Sequence, residues 1–369
     1  MKRNRLALLL AALLLTVGLL PGAQAAEEET ASDGSTAPET SATSTIVVDA
    51  WSGRVLYEDN ADEQRPIASV TKIMTGYLAT ETLTQEDLST VYTISEHAAA
   101  SDGVDGTSMY FEAGDEVSVE VLLYGTMLRS GNDAAVALAE VCAGDEQTFI
   151  DRMNAKAEEL GMTNTHFSSV NGLVDENNYS TARDLAVLGR AAMQNELFAQ
   201  IVGTWYIEID GYSIENHNML LSDEYMGRDE CLGIKTGFTT AAGRTLVSCA
   251  QRDGSRFIVV TLNDANDYED HMALYEWAFE NYPANVLCEE GEVVTTLHVG
   301  EQDVPLVAAE TLVSSVEASD EANLSCSMTL PGRITGTVSQ GSVAGTITFT
   351  LNGETLGTVE LLYDAIVVS

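Results

Sequence analysis

Only three lysines remain in this 369-residue chain once a leader-like N-terminus is set aside, and two of them stand in short motifs. Lys72 closes Ser69-Val70-Thr71-Lys72, Lys235 opens Lys235-Thr236-Gly237, and Lys156 lies outside both. Elsewhere the chain uses arginine, which serves solubility equally well but not proton transfer. Arginine stays protonated in a protein, whereas a desolvated lysine can lose its proton and act as a base. Residues three apart on a helix share one face, so Lys72 can reach the Ser69 hydroxyl. A serine holds its proton at neutral pH and needs an adjacent base to become a nucleophile. Burial and a neighbouring cation depress a lysine's pKa, and Lys235 is the cation on offer. Near the first turn of a helix, the Ser69 amide also faces a position where negative charge is stabilised.

Ser130-Gly131-Asn132 lies between the two lysine motifs. Its hydroxyl can relay a proton, and the Asn132 amide both donates and accepts hydrogen bonds. Alone, the tripeptide also reads as a helix break capped by Asn132. In Lys235-Thr236-Gly237 a cation and a hydroxyl suit a carboxylate, and Gly237 lets a ligand backbone approach the strand. Alone, it is also a strand end running into a turn. Each match is common; their joint order in a chain so poor in lysine is not.

The elements that must carry these residues follow from periodicity and punctuation. Thr45 to Val48 and Arg54 to Tyr57 flank Trp51-Ser52-Gly53 as a hairpin. A helix starts at Ser69 and runs through Leu78. Ser118 caps a helix ending near Leu128, Asn132 opens one that stops at Gly144, and Thr148 to Leu160 is a third, with Gly161 just past it. Ser180 or Thr181 caps a further helix with Leu185, Leu188 and Ala192 on one face. Strands are expected at Gly233 to Thr236, Arg244 to Ala250 and Arg256 to Leu262, then an amphipathic closing helix at Met272 to Phe279. From about Ala284 the texture changes to short β-rich runs, with Asn352-Gly353 as a hairpin turn between the last two.

Taken together, the motifs resemble those of low-molecular-mass penicillin-binding proteins of the D-alanyl-D-alanine carboxypeptidase family. The similar stretches are Pro66 to Thr75, Ser130 to Ala135, Tyr179 to Leu185 and Gly233 to Thr239, with Ala242-Gly243-Arg244 after the last. The resemblance implies an α/β (α+β) penicillin-binding/β-lactamase-like transpeptidase catalytic domain over residues 45–283 and a small C-terminal all-β sandwich over residues 284–369. It implies that Ser69 attacks the carbonyl between the two terminal D-alanines of a peptidoglycan stem pentapeptide, with Lys72 as base. Ser130 passes a proton to the leaving amine with Lys235 assisting, Asn132 holds the substrate amide, and Thr236 binds the terminal carboxylate. The amides of Ser69 and Phe238 form the oxyanion hole, water releases the acyl-enzyme, and β-lactams acylate Ser69. No cofactor or metal is implied. Some relatives carry an arginine on the strand after the KTG hairpin; here that region reads Thr261 to Asn266, and Arg244 is either its substitute or a surface arginine. Rival readings are a D,D-endopeptidase of the same family, a non-catalytic wall-binding scaffold, and a β-lactamase in which Glu176 would serve deacylation.

The rest of the sequence bounds the setting. The formal net charge is -40, which argues against nucleic-acid binding and against attraction to anionic lipid. Lys2, Arg3 and Arg5, the apolar run Leu6 to Leu20 and Ala23-Gln24-Ala25 read as a cleaved secretory leader over residues 1–25. Residues 26–44 read as a disordered linker. Membrane attachment is left open, because the chain ends at Ser369 after strand-like sequence rather than a basic amphipathic helix. Five cysteines form no metal pattern; Cys231 and Cys249 are either a hairpin disulfide or buried thiols. The five histidines are expected to be ordinary surface or loop residues.

Overall fold

Ser44–Asp49 is buried at every position, although its first two residues are polar. A strand buried on both faces must have layers above and below it, and that is how this strand, β1, is placed. The computed structural model describes residues 36–101, 106–173, 176–300, 302–317, 319–332, 334 and 337–368. The expected leader lies outside these residues. β1 pairs antiparallel with β2 (Val55–Asp59) across the anticipated hairpin. β3 (Cys231–Thr239), β4 (Gly243–Arg252) and β5 (Ser255–Leu262) complete a sheet in the order β2-β1-β5-β4-β3, which leaves β3 on an edge. In its register Ile46 faces Val260 and Val247 faces Lys235.

The helices carry most of the core of this unit. α1 (Lys72–Thr82) is buried over most of its circumference, as a central helix must be. α2 (Val119–Met127), α3 (Asn132–Ala143) and α4 (Glu146–Glu159) follow. Ser118 Oγ caps α2, Asp145 caps α4, and Gly144 ends α3. Thr181 caps α5 (Ala182–Ala192), whose Leu185, Leu188 and Ala192 are fully buried as the periodicity requires. α6 (Glu196–Val202) was not anticipated; it is too short for a clear period. Ile46, Ile73, Phe149 and Phe198 are fully buried, and side chains of this size each contribute about 1.5–3 kcal/mol.

α7 (Asp267–Asn281) starts a turn before the expected closing helix. It is pinned through His271, whose Nδ1 lies 2.7 Å from Ser248 Oγ and whose Nε2 lies 3.0 Å from Thr261 Oγ1. Tyr275 OH completes the group, 2.6 Å from Ser248 Oγ. This corrects the surface reading of that histidine: it is fully buried. Burial pushes it down to about 3, so it stays neutral. A second correction concerns the tail of the expected linker. Thr43 N–H donates to Leu262 O, Asn263 Nδ2 donates to Thr43 Oγ1, and Ser44 already belongs to β1.

The chain divides into two units, one of Ala37–Arg252 with Arg256–Ala278, the other taking Asp253–Ser255 and the residues from Phe279 on. The second is all-β. It comprises β6 (Ala284–Cys288), β7 (Val293–Val299), β8 (Gln302–Ala308), β9 (Leu312–Ser315), β10 (Leu324–Thr329), β11 (Val343–Leu351) and β12 (Glu354–Tyr363). A five-stranded sheet in the order β7-β8-β12-β11-β10 and the pair β6-β9 enclose Val304, Leu306, Ile347, Phe349, Val359 and Leu361. Asn352 and Gly353 both have positive φ, 51° and 89°, as a two-residue hairpin turn of this sequence demands. All five cysteines are free thiols. Cys231 and Cys249 are therefore buried thiols and not a hairpin disulfide, and burial pushes both up to about 12, which lowers their reactivity. Among the described residues no helix is long and apolar enough to cross a membrane.

Candidate active site

Ser69 sits on a short 3₁₀ turn, Ala68–Thr71, directly ahead of α1. The α-helix therefore begins at Lys72 rather than at Ser69. In a 3₁₀ turn residues i and i+3 eclipse one another, which brings the lysine under the hydroxyl. Ala68 has a φ of 49°, a conformation that costs a non-glycine residue roughly 1–2 kcal/mol. Such strain at the residue before Ser69 marks a position fixed by its surroundings.

Lys72 is fully buried. Its Nζ lies 3.1 Å from Ser69 Oγ, 2.7 Å from Asn132 Oδ1 and 2.7 Å from Asn171 O. A neutral amine has two N–H donors and one lone pair. Two of the three neighbours, Asn132 Oδ1 and the Asn171 carbonyl, can only accept. With both N–H groups committed to them, the lone pair is left for the proton of Ser69. The lysine is also held well below its usual range, first by burial and then by the charge of Lys235, with Asp133 acting in the opposite direction. Asn171 O is a contact that no motif pointed to.

Ser69, Ser130, Asn132, Thr236, Gly237, Phe238 and Arg244 border one cleft of about 230 Å³. Lys72 and Lys235 lie beneath it, almost wholly buried. Ser130, like Ala68, has a left-handed backbone (φ 63°). Asn132 opens α3, its N–H bonded to Thr107 O at 2.8 Å. With Oδ1 given to Lys72, its Nδ2 is a buried donor without a partner among the described residues. Asp133 fixes the opposite wall: it accepts from Ser108 Oγ (2.6 Å) and from the amides of Met109 (2.9 Å), Phe111 (3.0 Å) and Ala134 (2.8 Å). Lys235 donates to Thr236 O at 3.0 Å and is pushed down to about 7 by burial. Phe238 is largely exposed.

Gly237 does something beyond the sequence reading. A Cβ there would stand 2.5 Å from Thr245 Oγ1 and 2.9 Å from Ser69 N. The close approach it permits is first that of the chain's own serine turn, while the residue also borders the cleft. Arg244 is neither isolated nor simply superficial. Its Nε and Nη2 donate to Asp267 Oδ1 at 2.9 and 2.6 Å, and its guanidinium lies over the Tyr268 ring, 5.2 Å from the centroid. Glu176 is exposed and borders a smaller pocket instead of the main cleft. His217, expected to be an ordinary loop residue, borders the main cleft. Its neighbours Asn216 and Asn218 are the only sequence hint, since both are turn formers.

A mixed helix-and-sheet unit that aims a desolvated lysine at a serine beside a cleft defines an active-serine enzyme of the serine–lysine type. The comparisons with known proteins agree. Residues 31–266 match the family model for D-alanyl-D-alanine carboxypeptidase, and residues 282–369 match the penicillin-binding protein 5 C-terminal domain. The chain is 35% identical over 334 residues to the D-alanyl-D-alanine carboxypeptidase DacC of Escherichia coli, covering 87% of this chain and 82% of that protein. To DacF of Bacillus subtilis it is 31% identical over 329 residues, 85% of this chain and 83% of the relative. Among solved structures, penicillin binding protein 5 from Haemophilus influenzae superposes with a TM-score of 0.76 at 27% identity, covering 91% of this chain and all of the other. The chain belongs to the D-alanyl-D-alanine carboxypeptidase family and is a serine-type D,D-carboxypeptidase.

Proposed function

We propose that the chain is exported behind its leader and trims the terminal D-alanine from peptidoglycan stem pentapeptides through an acyl-enzyme on Ser69, and that penicillins acylate the same serine. Lys72 takes the Ser69 proton as Oγ attacks the carbonyl between the two D-alanines. The amides of Ser69 and Phe238 receive the oxyanion. Ser130, assisted by Lys235, delivers a proton to the departing amine, and water then cleaves the ester. The substrate backbone lies along the edge of β3, a mode in which main-chain hydrogen bonds supply affinity. Its amide carbonyl accepts from Asn132 Nδ2, and its terminal carboxylate lies beside Thr236 and Arg244.

The observation that carries this reading is the placement of Lys72 Nζ 3.1 Å from Ser69 Oγ and 2.7 Å from each of two pure acceptors, Asn132 Oδ1 and Asn171 O, a geometry in which the neutral amine keeps its lone pair for Ser69. The unpartnered Asn132 Nδ2 at the same cleft supports the placement of the substrate carbonyl. Intact-mass spectrometry after incubation with penicillin tests the scheme. One adduct is expected on the wild type and none on Ser69→Ala. Penicillin left intact by an unlabelled wild-type protein would remove the serine mechanism and favour the scaffold reading.

A further inference from the structure

We propose that His217 forms part of the anion-binding end of the cleft and takes up a proton from solvent when the substrate's terminal carboxylate arrives. This rests on the placement of that carboxylate beside Thr236 given above.

The backbone of His217 is held at both ends. Its N–H donates to Leu128 O at 3.1 Å, and its carbonyl accepts from Tyr268 OH at 3.0 Å. The two flanking asparagines are buried, the side chain of Asn216 fully bonded to the interior and that of Asn218 bonded through its Oδ1 alone. Asn216 Nδ2 donates to Val202 O (3.2 Å) and Thr204 O (2.9 Å), while its Oδ1 accepts from Asn218 N (2.9 Å). Asn218 Oδ1 accepts from Leu220 N (3.2 Å). The residue between them borders the cleft together with Thr236 and Arg244. Its imidazole makes no hydrogen bond among the described residues, so a half-buried donor and acceptor stand at the place where an anion is to bind.

The charges around this ring come from four elements. Arg129 follows α2, Lys235 lies on β3, Arg244 on β4, and Asp267 and Tyr268 on α7. Asp267, the one carboxylate among them, is engaged by Arg244. Burial, then Lys235 and Arg129, push His217 down to about 4. The ring is therefore neutral in the free enzyme at ordinary pH. A carboxylate within hydrogen-bonding reach reverses the local field, and an opposite charge at that range raises a pKa by about 1–3 units. That brings the ring to between about 5 and 7 when the site is filled. The arginines Arg129 and Arg244 give a charge that does not vary over this interval; histidine makes part of the grip vary with pH. A two-unit rise strengthens the hold on a carboxylate about tenfold at pH 5 relative to pH 8.

Penicillin carries a carboxylate and, as an acyl-enzyme, keeps it in the cleft. The test is histidine-selective NMR of the full-length protein, free and penicillin-acylated, from pH 5 to pH 8, with His217→Gln assigning the signal. In the free protein the His217 ring is expected to stay neutral down to pH 5; in the acyl-enzyme it titrates at least one unit higher than in the free form. The ratio of the wild-type rate constant for acylation by penicillin to that of His217→Gln, measured alongside, should grow toward pH 5, and the ratio of His217→Arg to His217→Gln should not. An identical titration of His217 in free and acylated protein, with the mass adduct present, overturns this proposal and leaves the acyl-enzyme reading standing. Absence of the adduct overturns both.

Discussion

Lys235 gives the clearest quantitative test, because a buried lysine destabilises the fold that needs it. The side chain is almost wholly buried, makes one hydrogen bond to a carbonyl, and is pushed down to about 7 from an ordinary value of 10.5. In the unfolded chain it binds a proton some 3.5 units more tightly, so folding is disfavoured by about 5 kcal/mol below pH 6. The penalty is about 4 kcal/mol at pH 7 and about 2 kcal/mol at pH 9, and it vanishes as pH passes 10.5. The sign follows from the depressed folded-state pKa of a cationic group: between the two pKa values the unfolded state holds more protons, so stability rises with pH. Lys235→Met keeps the volume and removes the charge. Urea unfolding followed by tryptophan fluorescence reports the right unit, since Trp51, Trp205 and Trp277 all lie in it. The variant is expected to be more stable than the wild type by about 4 kcal/mol at pH 7, less about 1 kcal/mol for the lost hydrogen bond. The difference should shrink steadily toward pH 10, while carboxypeptidase activity is lost. Equal stabilities at pH 7, or a difference that does not depend on pH, would refute the claim that burial holds Lys235 near neutrality.

Three further tests bear on other parts of the site and fold. Asn132→Ala removes both an acceptor for Lys72 and the free Nδ2 donor, and penicillin acylation followed by stopped flow should slow by about 10²–10³-fold. Asp133→Ala strands three amides and a hydroxyl inside the protein, so the urea midpoint should fall by the equivalent of about 3–5 kcal/mol; a loss under 1 kcal/mol would mean the wall is held otherwise. His271 is neutral in the fold down to about 3 but protonates near 6.5 once unfolded, so it draws stability down as pH falls. Between pH 7 and pH 4 the wild type should lose about 3 kcal/mol more than His271→Gln in urea titrations.

What could be read from the sequence was what depends on short-range geometry. Ser69 and Lys72 meet because i and i+3 coincide in any right-handed helical turn, even though the turn is 3₁₀ and not α. The face of α5 followed from Leu185 and Leu188, and the last hairpin from Asn352-Gly353. The long-range parts were not legible. Asn171 reaches Lys72 with a backbone carbonyl, which every residue possesses, so no residue type advertises it. The partner of Arg244 is one acid in a chain that carries 57. His271 is buried because Ser248, Thr261 and Tyr275 satisfy it, and that compensation exists only once β4, β5 and α7 have come together. Gly237 was read for its strand, whereas its lack of a side chain answers to Ser69, far upstream.

That last contact bears on when the enzyme comes alive. Ser69 and Lys72 leave the ribosome early, but they are held by late arrivals: the Asn171 carbonyl 99 residues downstream, Gly237 at the back of the serine turn, and Thr245 Oγ1, bonded to Ile67 O across 178 residues of chain. Contacts of such separation form late, since the intervening loop must close first. The surroundings of Ser69 are therefore complete only when the edge of the sheet has docked, and a nascent or clipped chain ending ahead of Asn171 carries the whole serine motif without any of the three contacts that hold it.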